Sequence, residues 1–170
     1  MYNNHNLVTQ RTDARAISKN FSYDGLNRLT QASYTDGTPT VSLTYGTSAP
    51  SNNKGRLITV IYNGSSNTES FTYDVLGRIT QATKKIDNVN YAISYAYNLA
   101  SELASITYPS GRVATQSYDT IGRLSTIASG GVNYASGFGY NAAGRMGESC
   151  STKANSFWQP LPKRSSNLKR

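Results

Sequence analysis

Short runs of this chain alternate apolar and polar residues with a period of two. Val41, Leu43 and Tyr45 alternate with Ser42 and Thr44, and Ile93, Tyr95 and Tyr97 alternate with Ser94 and Ala96. Val132, Tyr134, Ser136, Phe138 and Tyr140 share one parity. Successive side chains of a strand point to opposite faces, so each run predicts a strand with one covered face. Tyr, Thr, Ile and Val, which suit a pleated and half-covered surface, dominate these runs. Residues 57–62 are apolar on both parities, which predicts a strand covered on both sides. Between residues 20 and 146 no stretch carries a helical period. One short helical turn is predicted at residues 13–18.

Turn signals punctuate the runs. One set is Asp36-Gly37, Asn63-Gly64, Asp87-Asn88, Ser110-Gly111 and Gly130-Gly131. Gly and Asn tolerate the positive φ that tight hairpins demand. The other set is a recurring phrase, Tyr-Asp-x-x-Gly-Arg-Leu. It begins at Tyr23, Tyr73, Tyr118 and Tyr140, with weaker copies at Tyr45 and Tyr97. The six starts are 22, 28, 24, 21 and 22 residues apart. Taken together, the two sets place a turn every 10 to 14 residues, the spacing of an all-β antiparallel meander of hairpins. A period in the twenties marks a repeat array, whose units bury their apolar faces against one another.

The phrase has a physical reading. Tyr closes the incoming strand: Tyr23, Tyr73, Tyr97, Tyr118 and Tyr140, with Tyr45 in the copy that carries an insertion. Asp24, Asp74, Asp119, Asn98 and Asn141 follow, each able to accept a backbone N–H two residues on and so start a turn. Asn27, Gly55, Gly77, Gly122 and Gly144 stand where a left-handed residue is wanted. Arg28, Arg56, Arg78, Arg123 and Arg145 open the outgoing strand. Two partners are open to these arginines, a motif Asp of the next unit or the face of a motif Tyr. The copy at Tyr97 has Ser101 and Glu102 in the Gly and Arg places, and an Arg of a neighbouring unit is the expected partner of Glu102.

Composition narrows the picture. Leu, Ile, Val and Phe supply 31 of 170 residues, low for a packed core, and 13 tyrosines supplement them. The net charge of +8 is uneven: residues 1–150 carry +3 and residues 151–170 carry +5. One Cys excludes an internal disulfide framework, and with one His leaves little for a transition-metal site. No apolar run reaches the length of a signal peptide's core or a membrane-spanning helix. A polar leader is expected at 1–19, the repeat region at 20–146 and an irregular basic tail at 147–170.

The motif residues resemble the Tyr-Asp repeat, also called the Rhs repeat, over residues 20–146. Tyr108-Pro109-Ser110-Gly111 resembles its alternate turn. Similar proteins include bacterial Rhs polymorphic toxins, the shell-forming subunit of insecticidal toxin complexes, and teneurin ectodomains. The resemblance implies a curved section of a hollow β-shell, which in the family encloses a C-terminal toxin or supports adhesion. It implies other such repeats or a toxin domain as partners, and a secreted or cell-surface location. Complete shells use many more than about six repeats, and no Asp-Pro pair closes the region here, so the chain reads as a fragment of the wall. A fragment of this kind is expected to self-associate through its end strands.

Catalysis has little support in the sequence. The recurrent aspartates share one turn context, His5 has no nucleophile or orienting acid beside it, and the glycines lack dinucleotide-binding spacing. No cofactor, metal or catalytic residue is expected. Nucleic acid is not an expected partner, because the basic residues cluster only in the tail. The alternative to a wall segment is a cell-surface module that binds glycans or proteins, with tyrosine faces beside Asn, Asp and Arg stacking on sugars.

Overall fold

The computed structural model describes residues 1–63 and 66–150. The described residues form thirteen strands and no helix. The strands are β1 (Gln10–Thr12), β2 (Ser18–Tyr23), β3 (Leu29–Tyr34), β4 (Val41–Tyr45), β5 (Leu57–Asn63), β6 (Asn67–Tyr73) and β7 (Ile79–Ile86). They continue with β8 (Val89–Tyr97), β9 (Leu103–Thr107), β10 (Val113–Tyr118), β11 (Leu124–Ser129), β12 (Val132–Tyr140) and β13 (Met146–Cys150). The chain divides into two compact units. The first holds Met1–Ala96 and Ile106–Gly111, the second Tyr97–Ser105 and the residues from Arg112 onward.

In the first unit β1 to β8 pair in chain order, each antiparallel to the next. In the second, β10 to β13 do the same. This is the all-β antiparallel meander that the turn spacing predicts. The short turns obey their residues. Asp87-Asn88 links the paired Ile86 and Val89 with both φ values positive, 48° and 67°. Gly130-Gly131 joins Ser129 and Val132 in the same way, at 57° and 78°. Asn63-Gly64 falls partly outside the described residues.

The register slips at the corners of Tyr23, Tyr45, Tyr73, Tyr118 and Tyr140. Ser22 faces Gln31, but Tyr23 faces Leu29, so Thr30 is the extra residue. Ile58, Thr80, Ser125 and Gly147 are passed over in the same way after Leu57, Ile79, Leu124 and Met146. A bulge of this kind bends the strand and re-aims the groups beside it.

Burial is thin. Among the described residues Ala32, at 5% exposure, and Val60, at 7%, are the buried apolar ones, and no polar residue is buried. Val60 lies in the doubly apolar β5, where Leu57 to Ile61 are all at least half covered as predicted, while Tyr62 at the end of the run is exposed. Alternation fails near the short turns. Val132 and Tyr134 share the covered parity of β12, yet are 51% and 49% exposed, because the hairpin tip extends past its neighbours' cover.

Two expectations about the N-terminal residues are corrected. The ladder starts inside the supposed leader, at Gln10 in β1, and Tyr2 bridges Val8 ahead of it. Residues 13–18 form no helix; a turn there joins β1 to β2. At the other end β13 carries the ladder to Cys150, past the expected limit at 146, and the remaining tail lies outside the described residues.

Candidate functional site

The repeated corner is built from local chemistry. At Tyr23 the Asp24 N–H donates to the Arg28 carbonyl at 3.0 Å, and the Asn27 N–H to the Asp24 carbonyl at 3.0 Å. This is a type I turn followed by one left-handed residue, a common hairpin link. That residue has φ of 62° at Asn27, 74° at Gly55, 78° at Gly77, 67° at Ser101, 79° at Gly122 and 72° at Gly144. The Asp carboxylate locks the turn from inside. Asp24 Oδ1 accepts the N–H groups of Leu26 and Arg28 at 2.9 and 3.0 Å. Asp74 and Asp119 repeat this pattern, and Asn141 repeats it through its amide oxygen.

Three of the five motif arginines pair with the Asp of their own corners. Arg28, Arg78 and Arg123 donate Nε–H to Oδ2 of Asp24, Asp74 and Asp119, all at 2.7 Å. Of the two open partners, the Asp of the next unit is not the one these three take: the turn folds the arginine stem back over its own loop, within reach of a carboxylate four residues earlier. The other open partner is found. Arg28, Arg56 and Arg123 lie across the rings of Tyr45, Tyr73 and Tyr140, at 4.2, 5.4 and 4.7 Å from the centroids. Each of these tyrosines belongs to the next corner of the series.

The tyrosine hydroxyls make the reciprocal link. Tyr45, Tyr73, Tyr118 and Tyr140 donate to the carbonyls of Leu29, Leu57, Leu103 and Leu124, at 3.0, 2.6, 2.9 and 2.7 Å. Every acceptor opens the outgoing strand of the preceding corner. In three of these corners it is followed by the bulged residue: Thr30, Ile58 and Ser125. Three pairs of successive corners, Tyr23 with Tyr45, Tyr45 with Tyr73 and Tyr118 with Tyr140, are thus joined twice, by a hydroxyl–carbonyl bond and by a guanidinium on a ring.

The electrostatics follow from these contacts. The Arg28 guanidinium, with the backbone N–H groups of Arg28 and Leu26, holds the Asp24 carboxyl below its ordinary value. At Asp74 partial burial works upward, and the Arg78 backbone N–H and guanidinium outweigh it. At Asp119 the Arg123 backbone N–H leads the downward shift, with the guanidinium adding to it. Burial pushes the Tyr73 and Tyr118 phenols up.

The two weaker copies keep the geometry with other atoms. In the copy at Tyr97, Asn98 Nδ2–H donates to Glu102 Oε2 at 2.6 Å, and the Glu102 N–H donates to Asn98 Oδ1 at 2.9 Å. The acid–base polarity of the corner is reversed, so Glu102 pairs within its own corner and not with the Arg expected of a neighbour. In the copy at Tyr45, Gly46 takes the Asp place. A methyl group there would overlap Asn53, so the insertion has displaced the acid. Gly77 has a second constraint besides its φ, because a methyl group would overlap the Arg56 guanidinium.

Two corners escaped the motif search. Asn3 accepts the N–H groups of His5 and Leu7, the Asn3 N–H donates to the Leu7 carbonyl, and Asn6 has φ of 61°. Tyr2 to Val8 is therefore a further copy, with Leu7 in the Arg place. The Tyr23 hydroxyl donates to the Val8 carbonyl at 2.8 Å, as the series requires. The 21-residue step from Tyr2 to Tyr23 was the signal for it. Asp13 builds the same turn, accepting the N–H groups of Arg15 and Ile17, with Ala16 at φ of 63°. Ala is a poor left-handed residue, so no residue pattern announced that corner.

Outside the corners, a cleft of about 390 Å³ beside β1 is lined by Arg11, Asp13, Arg15, Lys19, Tyr34 and Asp36, among others. Its charges are mixed and it presents no nucleophile with a base. Among the described residues no three His, Cys, Asp or Glu side chains gather to hold a metal ion. Nor is any helix there long and apolar enough to cross a membrane.

Two family models match the chain, one described as RHS Repeat over residues 2–39 and one as Teneurin YD-shell over residues 46–129. No curated protein matches it. Among solved structures the chain is similar to TcdB2-TccC3 without its hypervariable C-terminal region, with a TM-score of 0.69 at 12% identity, covering 86% of this chain and 9% of that one. TcdB2-TccC3-TEV gives the same four values. The Photorhabdus luminescens Tc holotoxin pore gives 0.66 at 13%, covering 84% of this chain and 8% of that one. At these identities the likeness establishes the fold, and the chain spans about a tenth or less of those proteins' length.

Proposed function

We propose, from the premise that this chain belongs to the Rhs/YD-repeat family, that it is a non-enzymatic structural segment of the wall of a larger shell. The observation that carries this reading is the double link between corners. Tyrosine hydroxyls donate to the preceding corner and arginines cover the following ring, so the motif's recognition chemistry faces its own neighbours. A repeated position engaged in this way marks packing between repeats. The near absence of buried residues also suits a wall, since a wall holds its shape through ladder and corner bonds and needs no solid core. The likeness to the Tc holotoxin pore supports a toxin domain as the enclosed partner, and the family resemblance a secreted or cell-surface setting. The motif residues from Tyr23 to Arg145 are on this reading structural, joining each repeat to the next.

A glycan platform is the weaker reading, because a ring under a guanidinium has no free face there for a sugar. A glycan array probed with the wild-type chain and with Tyr73→Ala, beside urea unfolding of both, separates the two. The wall reading expects no specific retention and an easier unfolding of the variant. Retention lost in Tyr73→Ala with an unchanged unfolding midpoint would replace it with the glycan reading.

A further inference from the structure

The middle residues of the motif corners are apolar where a turn needs nothing apolar. Leu26 stands 73% exposed at the tip of the Tyr23 corner, and Val75 and Leu76 stand 84% and 64% exposed at the tip of the Tyr73 corner. Their backbones serve the corners: the Leu26 and Leu76 N–H groups donate to Asp24 and Asp74, both at 2.9 Å. Their side chains do not, and Gly, Asn, Asp or Ser would hold such a turn as well. Single exposed aliphatic residues are ordinary on a protein surface. Here they recur at one place in the repeat. The second unit, taken by itself, exposes Leu99 and Ile121 at the tips of its own corners.

Within the first unit the tips share one rim of the sheet. The corners of Tyr23, Tyr45 and Tyr73 follow one another through their tyrosine joints. Each is two strands from the last, or roughly 10 Å. The middle corner carries the insertion, whose residues 47–53 hold no charge and expose Ala49 and Pro50. Asp24 and Asp74 are balanced by Arg28 and Arg78. Lys54 and Arg56 are exposed and have no acid in their corner, where Gly46 takes the Asp place, so they leave the rim with two positive charges.

Area and charge decide what such a rim fits. Three aliphatic side chains offer on the order of 300 Å², well short of the ~800 Å² per partner of a specific protein interface. They stand apart, so a rigid partner would need a separate socket for each tip, whereas fluid hydrocarbon closes round each one. The two cations beside them match anionic headgroups. We propose that this rim is a membrane-contact edge: Leu26, Val75 and Leu76 enter the headgroup–acyl boundary of an anionic bilayer, and Lys54 and Arg56 lie on its headgroups. The contact is peripheral and needs no spanning segment. It stands independently of the wall reading, since the tip side chains take no part in the joints between corners.

Flotation of the full chain with vesicles rich in phosphatidylserine, beside vesicles of phosphatidylcholine alone, tests this. Wild type should partition onto the anionic vesicles, and less well onto phosphatidylcholine or at high salt. The triple variant Leu26→Ser, Val75→Ser, Leu76→Ser should lose at least about tenfold in partition, although it keeps the basic residues 151–170. Lys54→Gln should lose a few-fold. Val89→Ser removes a 53% exposed aliphatic side chain at the β7–β8 turn, at the opposite end of the strands, and should change nothing. All these variants should unfold in urea at the wild-type midpoint, because the side chains are exposed. If the triple variant does not, the single Leu76→Ser carries the test with a smaller loss. A wild type that stays free of the vesicles, a tip variant that floats as wild type does, or an equal loss in Val89→Ser would each overturn the proposal. So would sedimentation without lipid in which wild type associates and the triple variant does not, since the tips would then be a contact between copies.

Discussion

Replacing Tyr73 by Phe and by Ala dissects one corner joint into its parts. The hydroxyl donates to the Leu57 carbonyl at 2.6 Å, and Phe removes that bond alone. A net hydrogen bond of this kind contributes about 1 kcal/mol. Ala removes the ring as well. A tyrosine buries about 150–250 Å² when fully covered, and Tyr73 is covered over roughly two-thirds of its surface or more. Roughly 100 Å² at about 25 cal/mol per Å² gives about 2.5 kcal/mol, an upper estimate because the unfolded chain already covers part of it. The Arg56 guanidinium over the ring adds about 0.5 kcal/mol at this exposure. The expected losses are therefore about 1 kcal/mol for Tyr73→Phe and up to about 4 kcal/mol for Tyr73→Ala. Urea unfolding followed by far-UV circular dichroism reads both, with native-state hydrogen exchange at β5 and β6 as a local check, because repeat arrays can unfold in parts. Equal losses for Phe and Ala would mean that the ring contributes nothing and that the joint has been misread. No loss for Phe would mean that the Leu57 carbonyl finds water as readily as it finds the phenol.

Three further outcomes follow from the corners. The carboxyls of Asp24, Asp74 and Asp119 are held below their ordinary 3.8, so their stabilising share is complete above that value and is lost as pH falls through the lowered ones; the urea midpoint should be level near neutrality and drop below about pH 4. The Tyr73 and Tyr118 phenols are raised above 10.0, so stability should fall as pH climbs past that value, and less steeply in Tyr73→Phe, which a urea series at alkaline pH would record. Gly77→Ala should cost about 1–2 kcal/mol, from the left-handed φ of 78° and the overlap with Arg56, whereas Gly77→Asn, the residue type found at Asn27, should keep more of the backbone preference; chemical unfolding of both variants checks the order.

The reversed corner offers a separate check on the Asp–Arg pair. Asp74→Asn puts an amide N–H against the Arg78 guanidinium and should lower the urea midpoint. Adding Arg78→Glu recreates the Asn98–Glu102 chemistry and should recover part of the loss. A double variant worse than the sum of the single ones would show that the two polarities are not interchangeable at this position.

The sequence alone determined most of the strands, the short hairpin turns and the Asx-locked loop of the motif corners. Those features rest on contacts between residues at most four apart: an Asp oxygen on two nearby N–H groups, a left-handed Gly or Asn, alternation along one strand. The same locality explains the copy at Tyr2, which the motif search passed over because Asn3 and Asn6 do the work of Asp and Gly with less familiar letters. The tertiary structure decided what joins one corner to the next. That the Tyr73 hydroxyl reaches the Leu57 carbonyl, 16 residues back, depends on strand register and on a bulge at Ile58, and neither is written in the motif. Whether an arginine meets its own Asp or the next one is likewise a matter of how the turn folds its stem back. It settles on both its own carboxylate and the next ring because antiparallel pairing brings successive corners side by side. Local chemistry is carried by residue type and spacing, while the joints arise only when separate strands are set beside one another.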